Sequence, residues 1–309
     1  MKAVLIYKYG GPEELKYEDA PQPTINPDDV LVKVIATSIN PVDWKVREGH
    51  MKGAEREFPV ILGWDVSGVI EKVGSEVDYY EIGEEVFARP DVSRNGTYAE
   101  YVAVRAKEIY FKPKTIDHIN AAAIPLAGLT AWQGLFDHGK LQAGQKILIH
   151  GAAGGVGTLA VQLAKWKGAY VIGTASEKNI DFLKELGVDE VINYHKENFE
   201  EKLKAIDVVF DTIGGETQIK SLQVLKSGGI LVSTVGIKDE AALKAKGIHG
   251  VQYMAQSVPG DLKHLAELVD AGKLKPVISH IMPLKDIVKA HELSEEGHTR
   301  GKIVLKVAG

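Results

Sequence analysis

A chain of 309 residues is long for one compact core, so two domains are the natural division, and 45% hydrophobic with 26% charged residues describes a globular chain rather than a disordered one. The net charge of −5, with no long basic tract, removes the electrostatic footprint of a nucleic-acid or anionic-membrane binder. Cysteine is absent, which excludes disulfides and thiolate-held zinc; none of the ten histidines falls in H-E-x-x-H, and no metal site is expected.

The first residues, Met1-Lys2-Ala3-Val4-Leu5-Ile6-Tyr7, alternate in polarity until Gly10-Gly11-Pro12. They show no basic-then-apolar signal pattern, and no later stretch reaches 18 apolar residues, so the cytoplasm is the expected compartment. β-Branched runs at 2–7, 30–36, 66–73, 85–88, 98–104 and 109–112 are broken by prolines and glycines, which predicts an irregular, barrel-like β domain. Near Asn120 the texture changes. Segments 120–126 and 130–138 have helix-forming composition, with Asn120 a candidate N-cap and Pro125 an interruption.

From there apolar runs at 146–150, 170–174, 190–193, 207–211 and 229–235 alternate with helical stretches at 157–167, 178–186, 199–204 and 217–225. Short continuous apolar strands separated by amphipathic helices predict a parallel sheet covered on both faces. After about residue 273, β-like texture returns at 275–281 and 301–307. The expected division is therefore 1–122 with 274–309 as one discontinuous domain, and 123–273 as the other.

The run His150-Gly151-Ala152-Ala153-Gly154-Gly155-Val156-Gly157 lies between an apolar strand and a helical stretch. Glycines there let the backbone approach a diphosphate, and free N–H groups with the helix dipole favour its oxygens. Read as Ala152-x-Gly154-x-x-Gly157, it is a dinucleotide fingerprint with Ala in the first place. Without a ligand, the same run would be only a glycine-rich turn.

An NAD site carries an acidic residue about 20 positions beyond the glycines, on the ribose 2′-hydroxyl. Counting from Gly157 reaches either Ser176 or Glu177. Ser176 beside Lys178 suits a 2′-phosphate and hence NADP(H), whereas Glu177 facing the ribose would select NAD. Lys178 could equally be a solvated first-turn lysine.

Several motifs in order resemble the zinc-independent, quinone oxidoreductase-like branch of the medium-chain dehydrogenase/reductase superfamily. They are Asn40-Pro41-Val42-Asp43-Trp44-Lys45, Gly63-Trp64-Asp65-Val66-Ser67-Gly68, Gly128-Leu129-Thr130-Ala131-Trp132, Asp211-Thr212-Ile213-Gly214-Gly215 and Gly301-Lys302-Ile303-Val304-Leu305. The resemblance implies an α/β fold: a Rossmann-type doubly wound parallel sheet plus a discontinuous GroES-like β-rich catalytic domain. It implies that Asn40 and Thr130 face the nicotinamide end, and that Gly154, Gly155 and Val156 hold the diphosphate. It further implies that Ser176, Lys178 and Tyr194 surround a 2′-phosphate, and that Val235 and Gly236 border the nicotinamide ribose. Tyr194 would otherwise be a half-buried packing residue. Relatives are often homodimers joined through the last strand of the Rossmann sheet, here expected at 250–255.

Zinc-dependent alcohol dehydrogenases need a Cys near 40–43 and a His where Trp64 stands; this chain has neither. Hydride delivery without a Lewis acid suits a conjugated acceptor, a quinone or an α,β-unsaturated carbonyl, whose developing charge spreads over an enolate or hydroquinone. Asn40 is the candidate catalytic polar group, although it could simply shape the turn before Pro41. Asp43 fits a turn or cap better than catalysis. Alternatives are an NADP-dependent alcohol dehydrogenase, an enoyl-thioester reductase, or an NADPH-binding sensor without turnover. The expected partner is a small-molecule substrate, not a nucleic acid or a membrane.

Overall fold

A computed structural model describes residues 1–50 and 57–307. They form two compact units: Met1–Ala127 with Ser257–Gly272 and Pro276–Gly309, and Gly128–Gln256 with Lys273–Lys275.

The first stretch of chain supplies strands β1 (Lys2–Ile6), β2 (Lys16–Asp19) and β3 (Asp29–Ser38), then helix α1 (Pro41–Arg47). Strands β4 (Val60–Ile61), β5 (Val66–Val73), β6 (Glu85–Ala88), β7 (Tyr101–Arg105) and β8 (Ile109–Phe111) follow. Helices α2 (His118–Ala122) and α3 (Pro125–Trp132) end this part, and α3 continues as a π-helical turn, Gln133–His138. Val66–Val73 and Glu85–Ala88 stand at their expected bounds. Two expectations are corrected here. Tyr98 precedes its strand, because its backbone bonds two different segments: its N–H donates to Leu62 and its carbonyl accepts from Val4. Asn120 is not an N-cap. Asp117 holds that place, its carboxylate accepting the Asn120 N–H at 2.8 Å, so α2 starts earlier. Pro125 does interrupt the helical stretch, as the opening residue of α3.

The second unit takes β9 (Lys146–Ile149), α4 (Gly155–Trp166), β10 (Tyr170–Ala175), α5 (Ile180–Glu185), β11 (Glu190–Asn193) and α6 (Phe199–Lys202). After these come β12 (Ile206–Asp211), α7 (Gly215–Ser221), β13 (Leu225–Ser233), α8 (Glu240–Ala245) and β14 (His249–Gln252). All pairings in this sheet are parallel, in the order β11-β10-β9-β12-β13-β14, which is the doubly wound Rossmann order. The apolar strands expected from sequence are buried between helices. The strand expected at 250–255 is found at His249–Gln252; the Tyr253 N–H still reaches the Ser233 carbonyl of β13, and its hydroxyl donates to the Thr130 carbonyl. β14 forms the sheet edge.

The last stretch adds α9 (Pro259–Asp270), β15 (Ile278–Pro283), α10 (Ile287–Glu295) and β16 (Lys302–Lys306). The tail rejoins the first unit: β16 pairs antiparallel with β3 and parallel with β15. The resulting sheet runs β15-β16-β3-β5-β6-β8, with β7 also on β3. A smaller sheet, β2-β1-β4, completes the β-rich unit. Segment 257–272, which chain order assigned to the parallel-sheet domain, packs with the first unit, where α9 lies on β8. Among the described residues, no helix is long and apolar enough to cross a membrane.

In α4, Leu159, Ala160, Leu163 and Ala164 face the core at helical spacing, and Gly157 sets how closely the helix approaches. A Cβ on Gly157 would lie 2.1 Å from the Gly151 carbonyl oxygen and 2.7 Å from the Ala152 Cα, both backbone atoms that cannot yield cheaply. Gly154 is different: a Cβ there would meet only the Gly151 oxygen, at 3.3 Å. Gly157→Ala is expected to lower unfolding free energy by about 1–3 kcal/mol or more, and Gly154→Ala by less than about 1 kcal/mol. Urea titration of both variants checks this, and equal losses would contradict the assignment.

Candidate functional site

Eight of the nine expected cofactor residues follow the C-terminal ends of strands in the parallel sheet. Gly154 is the N-cap of α4, and Gly155 and Val156 are its first residues, directly after β9. The first-turn N–H groups of an α-helix have no acceptor within the helix, and the helix dipole adds partial positive charge. A Cβ at Gly154 would press only on the Gly151 carbonyl oxygen, at 3.3 Å, and the rest of the space above the Gly154 Cα is open to a close ligand. A diphosphate fits these residues.

Ser176 follows β10 and caps the 3-10 turn Glu177–Asn179, which contains Lys178. The Tyr194 backbone N–H reaches the Ala175 carbonyl, which brings the end of β11 beside Ser176, and the Tyr194 ring is half exposed. Glu177 gives its carboxylate to Lys196 at 2.8 Å. The position that left NAD open is thus engaged with a lysine, although an exposed pair of this kind is weak.

Val235 and Gly236 follow β13, and sequence reasoning missed what holds them. Asp211, buried at the end of β12, accepts the backbone N–H groups of Ile213 and Gly214 at 2.9 and 2.8 Å. Its other oxygen accepts from Gln218 Nε2 at 2.8 Å and Ser233 Oγ at 3.2 Å. Gln218 also donates to the Gly236 carbonyl at 2.7 Å and accepts the Lys238 N–H at 2.8 Å. One carboxylate and one amide therefore tie together the loops after β12 and β13. Thr130, on α3, is buried, and its carbonyl accepts the Tyr253 hydroxyl. Below the glycine loop, His150 bonds Thr174 and Ser221, and burial pushes its pKa down to about 4, so it stays neutral.

Asn40 belongs to the other unit. It is the N-cap of α1 with Pro41 at the first helical position. Its side chain does more than shape a turn. Oδ1 accepts from Lys302 Nζ at 2.6 Å, and Nδ2 donates to Asp65 Oδ2 at 2.7 Å. Asp65 also accepts from Ser38 Oγ at 2.5 Å, Lys302 at 3.2 Å and the Leu126 N–H at 2.6 Å. Lys302 completes its donors on the Ile39 carbonyl at 2.8 Å. Ser38, Asn40, Asp65 and Lys302 are all buried. The two charged partners orient the amide without ambiguity, since an ammonium must face its oxygen and a carboxylate its nitrogen. Neither Asp65 nor Lys302 had been singled out for this role. Among the described residues, no group of three or more His, Cys, Asp and Glu is arranged to hold a metal ion.

Asp43 is fully buried, and its cap role is visible: Oδ2 accepts the Asn40 N–H at 2.7 Å and the Tyr98 hydroxyl at 2.6 Å. Oδ1 is enclosed without a partner. Burial drives the carboxyl pKa up to about 7, against the lowering effects of Tyr98, the Asn40 N–H and Lys302. The native state thus holds this proton more tightly than the unfolded chain. Its contribution to stability is present in full near pH 4 and is lost as pH rises to about 7, on the order of 4 kcal/mol. Asp43→Asn is expected to flatten the stability profile between pH 4 and 7 relative to the wild type. Denaturant titrations across that range check it, and parallel profiles would refute it.

Comparison with known proteins agrees with both units. Residues 26–114 match the alcohol dehydrogenase GroES-like domain, and 186–305 match the zinc-binding dehydrogenase domain. The chain is 36% identical to the mitochondrial NAD(P)H oxidoreductase RTN4IP1 of Mus musculus, over 99% of this chain and 89% of that protein. It is 38% identical to the chloroplastic NADPH-dependent alkenal/one oxidoreductase of Arabidopsis thaliana, over 99% of this chain and 79% of that protein. Among solved structures, the quinone oxidoreductase from Coxiella burnetii superposes with a TM-score of 0.95 at 40% identity, covering 100% of this chain and 99% of that one. On sequence, domain composition and fold together, the chain belongs to the medium-chain dehydrogenase/reductase superfamily, in its quinone oxidoreductase-like family.

Proposed function

We propose that this protein is an NADPH-dependent oxidoreductase that reduces a quinone or an α,β-unsaturated carbonyl without zinc. The observation that carries the reading is the loop before α4, where Gly157 is required by the fold while Gly154 leaves its surface open. The named relatives act in support: one is called a quinone oxidoreductase and another an NADPH-dependent alkenal/one oxidoreductase.

Bound NADPH would supply the hydride. Gly155 and Val156 offer backbone N–H groups to its diphosphate, Gly154, whose own N–H bonds the Gly151 carbonyl, lets it approach closely, and Ser176 and Lys178 offer a hydroxyl and a cation to the 2′-phosphate. Tyr194 flanks the adenosine, while Val235, Gly236 and Thr130 border the nicotinamide end. Asn40 acts on the acceptor. One of its N–H groups is spent on Asp65, which leaves a second for the oxygen on which negative charge develops. Lys302, held on Oδ1, polarises the amide and strengthens that donor. The absence of cysteine, with Trp64 where a zinc-binding histidine would stand, supports a reaction free of zinc. A homodimer through the free edge of β14 is part of the same proposal.

Steady-state assays with NADPH and NADH against quinones, enones and simple ketones test this. Turnover is expected with the conjugated acceptors and not with the ketones, and prolonged dialysis against a chelator should leave it unchanged. Lys178→Glu is expected to raise KM for NADPH by about tenfold or more with little change for NADH. Tight NADPH binding without turnover of any acceptor would instead identify a sensor.

A further inference from the structure

Outside the Asn40 cluster and the glycine loop, the buried side chain least accounted for is Arg89. It directly follows β6 and is 6% exposed. Val66 pairs with Ala88 in the antiparallel β5–β6 ladder, so the next register position sets Arg89 opposite Asp65, the carboxylate that holds Asn40. A guanidinium carries five N–H donors in a planar fork. Nη1 reaches Ser257 Oγ at 3.3 Å, and that hydroxyl in turn donates to the Arg89 carbonyl. Nε is enclosed without an acceptor. Among the described residues, Arg89 forms no ion pair of its own.

Three carboxylates lie within reach of its charge, Asp91, Asp65 and Glu108. Each is bound to another cation. Asp91 and Glu108 share Arg105 at 2.8 and 3.0 Å, and Asp65 takes Lys302 at 3.2 Å. A structural arginine at this depth would be expected to have its own carboxylate, because an unpaired buried charge is costly. An unmet donor in a native fold calls for an explanation, and a ligand that completes the bonding is one. The fork matches a carboxylate oxygen pair.

We propose that Arg89 is a recognition group for an anionic oxygen carried by the electron acceptor, a carboxylate set apart from the carbonyl that is reduced. This rests on the reading that the protein reduces a conjugated acceptor. Ser257 holds Nη1 by one hydrogen bond, and the ligand's oxygens take the remaining N–H groups. Arg89 then sets specificity while Asn40 meets the reacting oxygen.

The test is a matched pair: a vinyl ketone ending in a carboxylate on a short saturated chain, and its methyl ester, which has the same reactive group. The wild type is expected to favour the carboxylate by about tenfold or more in kcat/KM. In Arg89→Gln that ratio is expected to fall to about one, and Arg89→Lys to restore part of it, since the charge returns without the fork. The melting temperature of Arg89→Gln should not fall below the wild type, because an unpaired buried charge has been removed. Wild-type turnover of the ester with no preference for the carboxylate would overturn the proposal and leave the functional reading standing. A preference that survives Arg89→Gln would overturn it too, as would failure of both variants to fold. Turnover of neither compound would overturn the functional reading itself.

Discussion

The β-rich unit is organised around one buried carboxylate. Asp65 stands at the start of β5 and accepts hydrogen bonds from the end of β3 through Ser38, from the N-cap of α1 through Asn40, from the start of α3 through Leu126, and from β16 through Lys302. A charge at that depth is tolerable only when several donors and a counter-ion surround it. That requirement has a structural consequence: five elements from distant parts of the chain must be in register before the carboxylate is satisfied. It has a chemical one as well. The same bonds hold the Asn40 amide in a single orientation, as a preorganised donor must be held. Stability and the proposed chemistry therefore share one interaction.

The parallel-sheet unit repeats the device in another form. Asp211 and Gln218 satisfy the backbone of two loops at the ends of β12 and β13, while the glycine loop after β9 is shaped by the close approach of Gly157 to backbone. In the proposed site Gly154 is far less crowded than Gly157, and Asn40 keeps one N–H beyond its bond to Asp65. Fixed scaffolds carrying uncommitted groups are what a site needs before its ligand arrives.

Much of this was legible in the chain. Val66–Val73, Glu85–Ala88 and Glu190–Asn193 fall where β-branched runs are bounded by turn residues, because such strands are dictated locally. The glycine loop carried its own setting, a strand before and a helix after. Tyr98 was misread because its backbone bonds two remote segments, and Asn120 because Asp117 offers the better cap one turn earlier. Helix α9 was readable and passed over: Pro259 opens it, and Leu262, Leu265, Ala266 and Val269 bury one face at helical spacing. The pairing of Asp65 with Lys302 spans 237 positions, and no local pattern announces a contact that only the folded sheet creates.

The proposed action of Lys302 on the reaction through Asn40 is tested by a double-mutant cycle on kcat with a conjugated acceptor. Lys302→Met is expected to lower kcat about tenfold or more in the wild-type background, and by less than about twofold once Asn40→Ala is present. An equal loss in both backgrounds would show that Lys302 acts independently of Asn40 and would contradict the account.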